Sequence, residues 1–122
     1  ADQDWQAADG GVGAETHPRA FGTFPRVLRR YVIDKEVITL PFFVRKVTML
    51  PASILGLDDR GMIKEGYRAD IMVFNAGTIR DRATFEENIY SEGVEYLLVN
   101  GKLAIDDSQF TGALAGEVIL RR

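Results

Sequence analysis

The hydrophobic and polar positions between residues 23 and 36 follow a helical period. The run Thr23–Pro25 is typical of a helix start, in which a hydroxyl caps the first turn and proline takes a position whose N–H has no intrahelical partner. Apolar residues then recur on one helical face, and this pattern predicts a helix that ends between Ile33 and Glu36.

A second helix start is predicted where Thr39 comes shortly before Pro41. One apolar stripe continues beyond it, but proline removes a backbone donor and clashes with the preceding turn. Pro51 is therefore expected to divide the stretch into two helices of roughly 41–50 and 51–56. Gly56 is expected to end the second of these helices, because glycine adopts the left-handed conformation at no steric cost.

From residue 57 onward the pattern changes to short strands. Residues 69–75 form an apolar run that suits a buried strand. The runs Val94–Val99 and Lys102–Ile105 flank Asn100-Gly101, a pair that favours the positive φ values of a tight hairpin turn. Helices followed by strands, with no internal repeat, indicate an α+β fold.

Three further segments complete the prediction. Residues 1–22 contain glycines and aspartates and show neither a helical nor a strand period, which predicts a loop. The polar segment Asp81–Asn88 is interpreted as a loop or one helical turn, and Glu117–Arg122 as a candidate last strand.

Composition narrows the classes of function. The 122 residues include one histidine and no cysteine, with a net charge of −3. Disulfides, thiolate zinc sites, cysteine nucleophiles and a multi-histidine metal cage are thereby excluded for this chain, and the acidic balance disfavours nucleic-acid binding. No apolar run approaches the roughly 20 residues of a membrane span, and no signal-peptide pattern is visible. A cytoplasmic protein without nucleic-acid or membrane partners is expected.

Candidate chemistry concentrates in the first 19 residues. His17 has the chemistry of a general base or a ligand, but a lone histidine is more often an ordinary surface residue. Arg19 has the planar fork that binds a carboxylate through two N–H bonds, although a loop arginine is more often only solvated. Asp2 and Asp9 are candidate general bases. The residues alone offer a carboxylate-plus-arginine site and nothing complete.

The segment Asp59–Phe74 resembles the Arg-Gly-x-Ile-x-x-Gly-x-x-Ala-Asp signature near the carboxyl end of amidohydrolase-superfamily enzymes. In that superfamily the chain there leaves a metal-dependent (β/α)₈ barrel and enters a small β-sandwich. The resemblance implies that residues 1–56 are the last barrel loop and the carboxyl-terminal helices of the barrel. Residues 57–122 are then strands of a composite β-sandwich.

A narrower resemblance covers His17–Leu28, which is similar to the His-Pro-Arg-x-aromatic-Gly-Thr-Phe-Pro-Arg-Val-Leu run of N-acyl-D-amino-acid deacylases, also called D-aminoacylases. The segments Asp81–Glu86 and Thr111–Gly116 resemble the same group. This likeness extends from about residue 17 to the end of the chain. It implies the carboxyl-terminal portion of a longer enzyme that hydrolyses a linear amide bond of a small N-acyl-D-amino acid.

The resemblance also implies roles for individual residues. In the family, zinc held by histidines and a cysteine of earlier barrel strands activates the attacking water, so its ligands are not expected in this chain. The family's catalytic aspartate precedes the His-Pro-Arg run and maps to Asp2 or to Asp9. Asp2 is preferred because Gly10–Gly13 compares well with a glycine-rich insert, whereas Asp9 has the family's following glycine. Arg19 maps to the arginine that binds the substrate carboxylate, and His17 of the same run is expected to bind the substrate with it.

Three hypotheses follow for the function. The first is a deacylase fragment that is inactive by itself and self-associates through unpaired sandwich strands. The second is a fragment of a cyclic amidase, such as a hydantoinase or dihydroorotase relative, which shares the Arg60–Phe74 signature but not the His-Pro-Arg run. The third is a non-catalytic structural or interaction module.

Overall fold

In the computed structural model, which describes residues 16–120, a helical half precedes an antiparallel sheet, as the α+β prediction requires. The helices are α1 (Arg19–Val27), a π-helical segment that continues it directly (Leu28–Asp34), α2 (Leu40–Val47) and α3 (Met49–Leu55). The four strands lie in the order β1-β2-β3-β4 and are β1 (Ile71–Phe74), β2 (Val94–Val99), β3 (Lys102–Asp106) and β4 (Gln109–Phe110).

The first helix starts earlier than its pattern predicted. It begins at Arg19, so residues 19–22, expected to be loop, are helical. Thr23 lies inside the helix and donates its hydroxyl to the Arg19 carbonyl at 2.7 Å. Pro25, also inside the helix, has no N–H for the Phe21 carbonyl four residues earlier, and that oxygen accepts the Ser91 hydroxyl at 3.2 Å instead. The distant Ser91 hydroxyl thus replaces the hydrogen bond that Pro25 cannot donate. Pro25 can therefore lie inside the helix, although its pattern predicted a helix start.

The second helical stretch begins as predicted but breaks elsewhere. Thr39 is the N-cap of α2, and its hydroxyl accepts the Phe42 N–H at 3.4 Å. The break falls at Thr48 (φ −126°, ψ −83°) rather than at Pro51. Pro51 lies in the first turn of α3, where its missing N–H leaves no bond unmade. Gly56 closes α3 with a φ of 72°, as predicted.

The sheet is built around the predicted hairpin. Asn100 and Gly101 join β2 to β3 with φ values of 49° and 78°, which confirms the turn. The predicted last strand is wrong over residues 117–120, which form no strand; the short β4 pairs with β3 instead. The tail is held differently, because the Asn100 side-chain amide donates to the Ala115 carbonyl at 2.8 Å. Residues 81–88 contain no helix or strand, as expected.

One hydrophobic core joins the helices to the sheet. Leu28, Val32 and Phe43 pack with Ile79, which is fully buried, and with partly buried side chains of β1 and β2. Arg29 reinforces this junction, since its guanidinium donates to the carbonyls of Ile79 and of Ala76 at 2.8 and 2.9 Å. The core therefore crosses residue 56, and the division into two domains there stays a prediction.

None of the helices described between residues 16 and 120 combines the length and the apolar content that crossing a membrane requires.

Candidate functional site

His17 and Arg19 flank the start of α1. The His17 Nδ1 accepts the backbone N–H of Arg19 at 3.1 Å. An accepting ring nitrogen carries no proton, so in the neutral imidazole the proton is on Nε2. The bond also satisfies one of the amide donors that the first turn of a helix leaves without an intrahelical partner. His17 thus holds the first amide of the helix whose N-cap residue is Pro18 and whose first residue is Arg19.

The Arg19 side chain is exposed and forms no ion pair or hydrogen bond with another residue of the described part of the chain. Its guanidinium stands at the positive end of the α1 dipole, where a second positive charge is unfavourable and an anion is favoured. A guanidinium with free N–H groups presents the planar fork that matches a carboxylate. The start of α1 is therefore a candidate carboxylate receptor.

A loop formed by residues 81–91, here called loop 81–91, packs against this helix start. The Phe85 ring lies 5.0 Å from the His17 ring, edge to face at 70°. The Tyr90 ring lies 5.7 Å from that of Phe21, and Ser91 donates to the Phe21 carbonyl. The sequence did not predict these contacts, because they join residues about 70 positions apart. The one feature that pointed to this loop was the resemblance of Asp81–Glu86 to the deacylase family.

Gly22 lies against Asp81, the first residue of loop 81–91. A Cβ added to this buried glycine would lie 1.8 Å from the Asp81 Oδ1 atom. Asp81, whose side chain is only 10% exposed, accepts the Ala83 N–H at 2.9 Å and faces Arg26 at 3.8 Å. The glycine of the His-Pro-Arg run therefore leaves room for a carboxylate against the helix.

The Arg-Gly…Ala-Asp signature has a structural role. Arg60 pairs with Asp70 and donates to the Asn100 side-chain oxygen at 2.7 Å and to Glu117 at 2.8 Å. Asp70 in turn accepts the Asn100 backbone N–H at 2.8 Å. The hydrogen bond that Arg60 donates to Asp70, together with nearby carboxylate charge, raises the pKa of Arg60 above its ordinary value. The network ties the loop after α3, the start of β1 and the β2–β3 turn together.

Replacing Arg60 by methionine is expected to lower the free energy of unfolding by about 2–3 kcal/mol. The Arg60 side chain is only 11% exposed, and its removal leaves Asp70 and Asn100 without their charged partner. The matched control is Arg68→Met, because the Arg68–Asp59 pair is about half exposed on both sides and its loss should cost less than about 1 kcal/mol. Denaturant titration measures both; equal costs would contradict the role of the network.

Of the predicted site residues, the structure brings His17 and Arg19 together, while Asp2 and Asp9 lie outside the described residues. The part of the chain from 16 to 120 holds no group of three or more histidine, cysteine, aspartate or glutamate side chains placed to bind a metal. The Nδ1 of its one histidine is already occupied by a backbone N–H. The described residues therefore do not fit a zinc site.

The model of the amidohydrolase family matches residues 9–105. The chain belongs to this family. N-acyl-D-glutamate deacylase of Alcaligenes xylosoxydans xylosoxydans is 49% identical over 89 residues, which are 72% of this chain and 18% of the relative. The predicted resemblance to N-acyl-D-amino-acid deacylases is thereby confirmed.

Two solved structures extend the similarity to the fold. A D-aminoacylase mutant in complex with copper chloride superimposes with a TM-score of 0.82 at 42% identity, over 88% of this chain and 23% of that one. N-acyl-D-glutamate deacylase from Bordetella bronchiseptica, in complex with zinc and a phosphonate mimic of the tetrahedral intermediate, gives 0.71 at 42% identity, over 74% and 19%. This amidohydrolase chain spans about a fifth of the length of these relatives.

Proposed function

We propose that this chain is the carboxyl-terminal part of a zinc-dependent hydrolase that deacylates N-acyl-D-amino acids. The observation that supports it best is the Arg19 guanidinium at the positive end of α1, which pairs with no other residue of the described part of the chain and belongs to the run His17–Leu28. The 49% identity to an N-acyl-D-glutamate deacylase points to the same class of substrate.

An N-acyl-D-amino acid carries an α-carboxylate close to the amide bond that is to be broken. We assign this carboxylate to Arg19, because two parallel N–H bonds would fix its position and its plane. His17 holds the first turn of α1 and borders the same place. Binding of the carboxylate by this pair would set the direction in which the amide carbonyl points.

The proton transfers are assigned to an aspartate of the preceding segment. Asp2 is proposed to take the proton of the attacking water and to pass it to the leaving amine, and Asp9 is the alternative. Zinc and its ligands are assigned to the part of the enzyme outside this chain, as the described residues do not fit a zinc site. A cytoplasmic location remains a prediction.

The rest of the enzyme is proposed to cover the apolar surfaces of this chain. Ile63, Ile54 and Val37 are 86%, 71% and 66% exposed. An open apolar groove of about 830 Å³ also runs between α2, α3 and β1. Exposed apolar surface of this extent is typical of an interface. It supports residues 1–56 as the end of a (β/α)₈ barrel and 57–122 as strands of a composite sandwich.

The isolated 122-residue chain is expected to hydrolyse no N-acyl-D-amino acid, with or without added zinc, and to self-associate. Among the described residues β1 and β4 are the outer strands of the sheet, and outer strands are where a second copy can add its own strand. An amine-release assay and sedimentation velocity measure the two properties. Zinc-dependent turnover by the isolated chain would contradict the first expectation, and a strictly monomeric species the second.

The full-length protein, supplied with zinc, tests the proposed function through a panel of linear and cyclic amides. We expect amine release from N-acyl-D-amino acids and no opening of hydantoin or dihydroorotate rings. Ring opening alone would replace the proposal by the cyclic-amidase hypothesis. A zinc-loaded protein that hydrolyses neither class would favour a structural or interaction module.

A further inference from the structure

We propose that Phe85 is a positioning residue for Arg19 and acts through His17. The inference rests on the proposed function, since it takes Arg19 as the group that binds the substrate carboxylate. It adds a role for loop 81–91, which packs against the start of α1.

The imidazole of His17 links the two residues. On one side it meets the Phe85 ring, 5.0 Å away and edge to face at 70°. On the other side its Nδ1 accepts the Arg19 backbone N–H at 3.1 Å. The accepting lone pair lies in the plane of the ring, so a rotated imidazole would lose this bond. Phe85 restrains that rotation and thereby the first turn of α1, from which the Arg19 side chain extends.

Loop 81–91 is itself held in place, so Phe85 is not a free side chain. It lies inside a closed turn in which the Thr84 N–H donates to the Glu87 carbonyl at 3.0 Å and the Thr84 hydroxyl accepts the Glu87 N–H at 3.0 Å. Both ends of the loop are fixed to α1, by Asp81 against Gly22 and by Ser91 on the Phe21 carbonyl. The loop therefore holds the Phe85 ring in place against the His17 ring.

The exposure of Phe85 separates positioning from stability. Its ring is 67% exposed, so truncating it opens no core cavity. An edge-to-face pair of aromatic rings contributes enough to alter an equilibrium severalfold. Phe85→Ala in the full-length enzyme should therefore raise the KM for an N-acyl-D-amino acid about three- to tenfold, with a smaller change in kcat. Phe85→Tyr, which keeps the ring, should recover most of the affinity.

A double-mutant cycle tests whether the effect passes through Arg19. If Phe85 acts by positioning that guanidinium, Phe85→Ala adds nothing to the KM of an Arg19→Ala enzyme. A merely structural role would raise KM by the same factor in both backgrounds, and this result would overturn the proposal. So would an unchanged KM for Phe85→Ala in the wild-type background.

The same experiment distinguishes the failure of this inference from that of the proposed function. A wild-type enzyme that releases no amine from N-acyl-D-amino acids refutes the proposed function and the positioning role with it. The positioning role alone is refuted if the wild-type enzyme is active but the KM increases caused by Phe85→Ala and Arg19→Ala multiply in the double variant. It is likewise refuted alone if Phe85→Ala leaves the KM of an active enzyme unchanged.

Discussion

Gly93→Ala is expected to lower the free energy of unfolding by about 3–5 kcal/mol, because backbone strain and a steric clash add together there. Gly93 has a φ of +88°, and a Cβ there would lie 2.4 Å from both the N and the Cα atom of Ile79. Backbone atoms cannot rotate away as a side chain can. Because Ile79 is fully buried in the core, the shift would disturb the junction between helices and sheet.

The matched control for this substitution is Gly66→Ala. Gly66 has nearly the same φ, +85°, but no heavy atom lies within 4 Å of an added Cβ. It therefore measures the backbone strain alone, about 1–2 kcal/mol. Denaturant titrations followed by circular dichroism give both values. Equal losses at the two glycines would show that the close approach of Gly93 to Ile79 contributes nothing.

Arg19→Ala should lower kcat/KM for N-acyl-D-amino acids about 100- to 1000-fold. Two charge-assisted hydrogen bonds would be lost from the substrate carboxylate, about 3–4 kcal/mol together. The loss should appear mainly in KM if Arg19 holds the substrate and its transition state equally. Arg19→Lys, which keeps the charge but not the planar fork, should lose about tenfold.

Steady-state kinetics of the full-length enzyme test this expectation with two controls. Arg30→Ala removes another exposed arginine, whose guanidinium lies 5.8 Å from the centre of the Tyr31 ring, and should leave kcat/KM unchanged. A substrate whose carboxylate is replaced by a carboxamide should be almost insensitive to Arg19→Ala. Equal losses for the acid and the amide would mean that Arg19 does not bind the carboxylate.

Features encoded by a few neighbouring residues were predictable from the sequence. The Thr39 cap, the Gly56 stop and the Asn100-Gly101 turn each depend on the conformations open to one or two residues. Local chemistry decides them, and the structure confirms all three. The family resemblances of His17–Leu28 and Asp59–Phe74 could also be detected from the sequence, because each is one contiguous segment of the chain.

Features that depend on distant partners were not predictable. The start of α1 was misplaced because the bond that Pro25 cannot make is supplied by Ser91. The tail was wrongly interpreted as a strand because Asn100 and Arg60 hold it through side chains. The contact between Phe85 and His17 likewise required the fold before it could be seen.

The central proposal is tested most directly by the enantiomer preference of the full-length, zinc-supplied protein. Release of free glutamate from N-acetyl-D-glutamate and from N-acetyl-L-glutamate is measured under identical conditions. The proposal predicts hydrolysis of the D substrate with little or none of the L substrate, and loss of that activity in Arg19→Ala. Preference for the L substrate, or no hydrolysis of any N-acyl-D-amino acid by the folded metal-loaded protein, would contradict it.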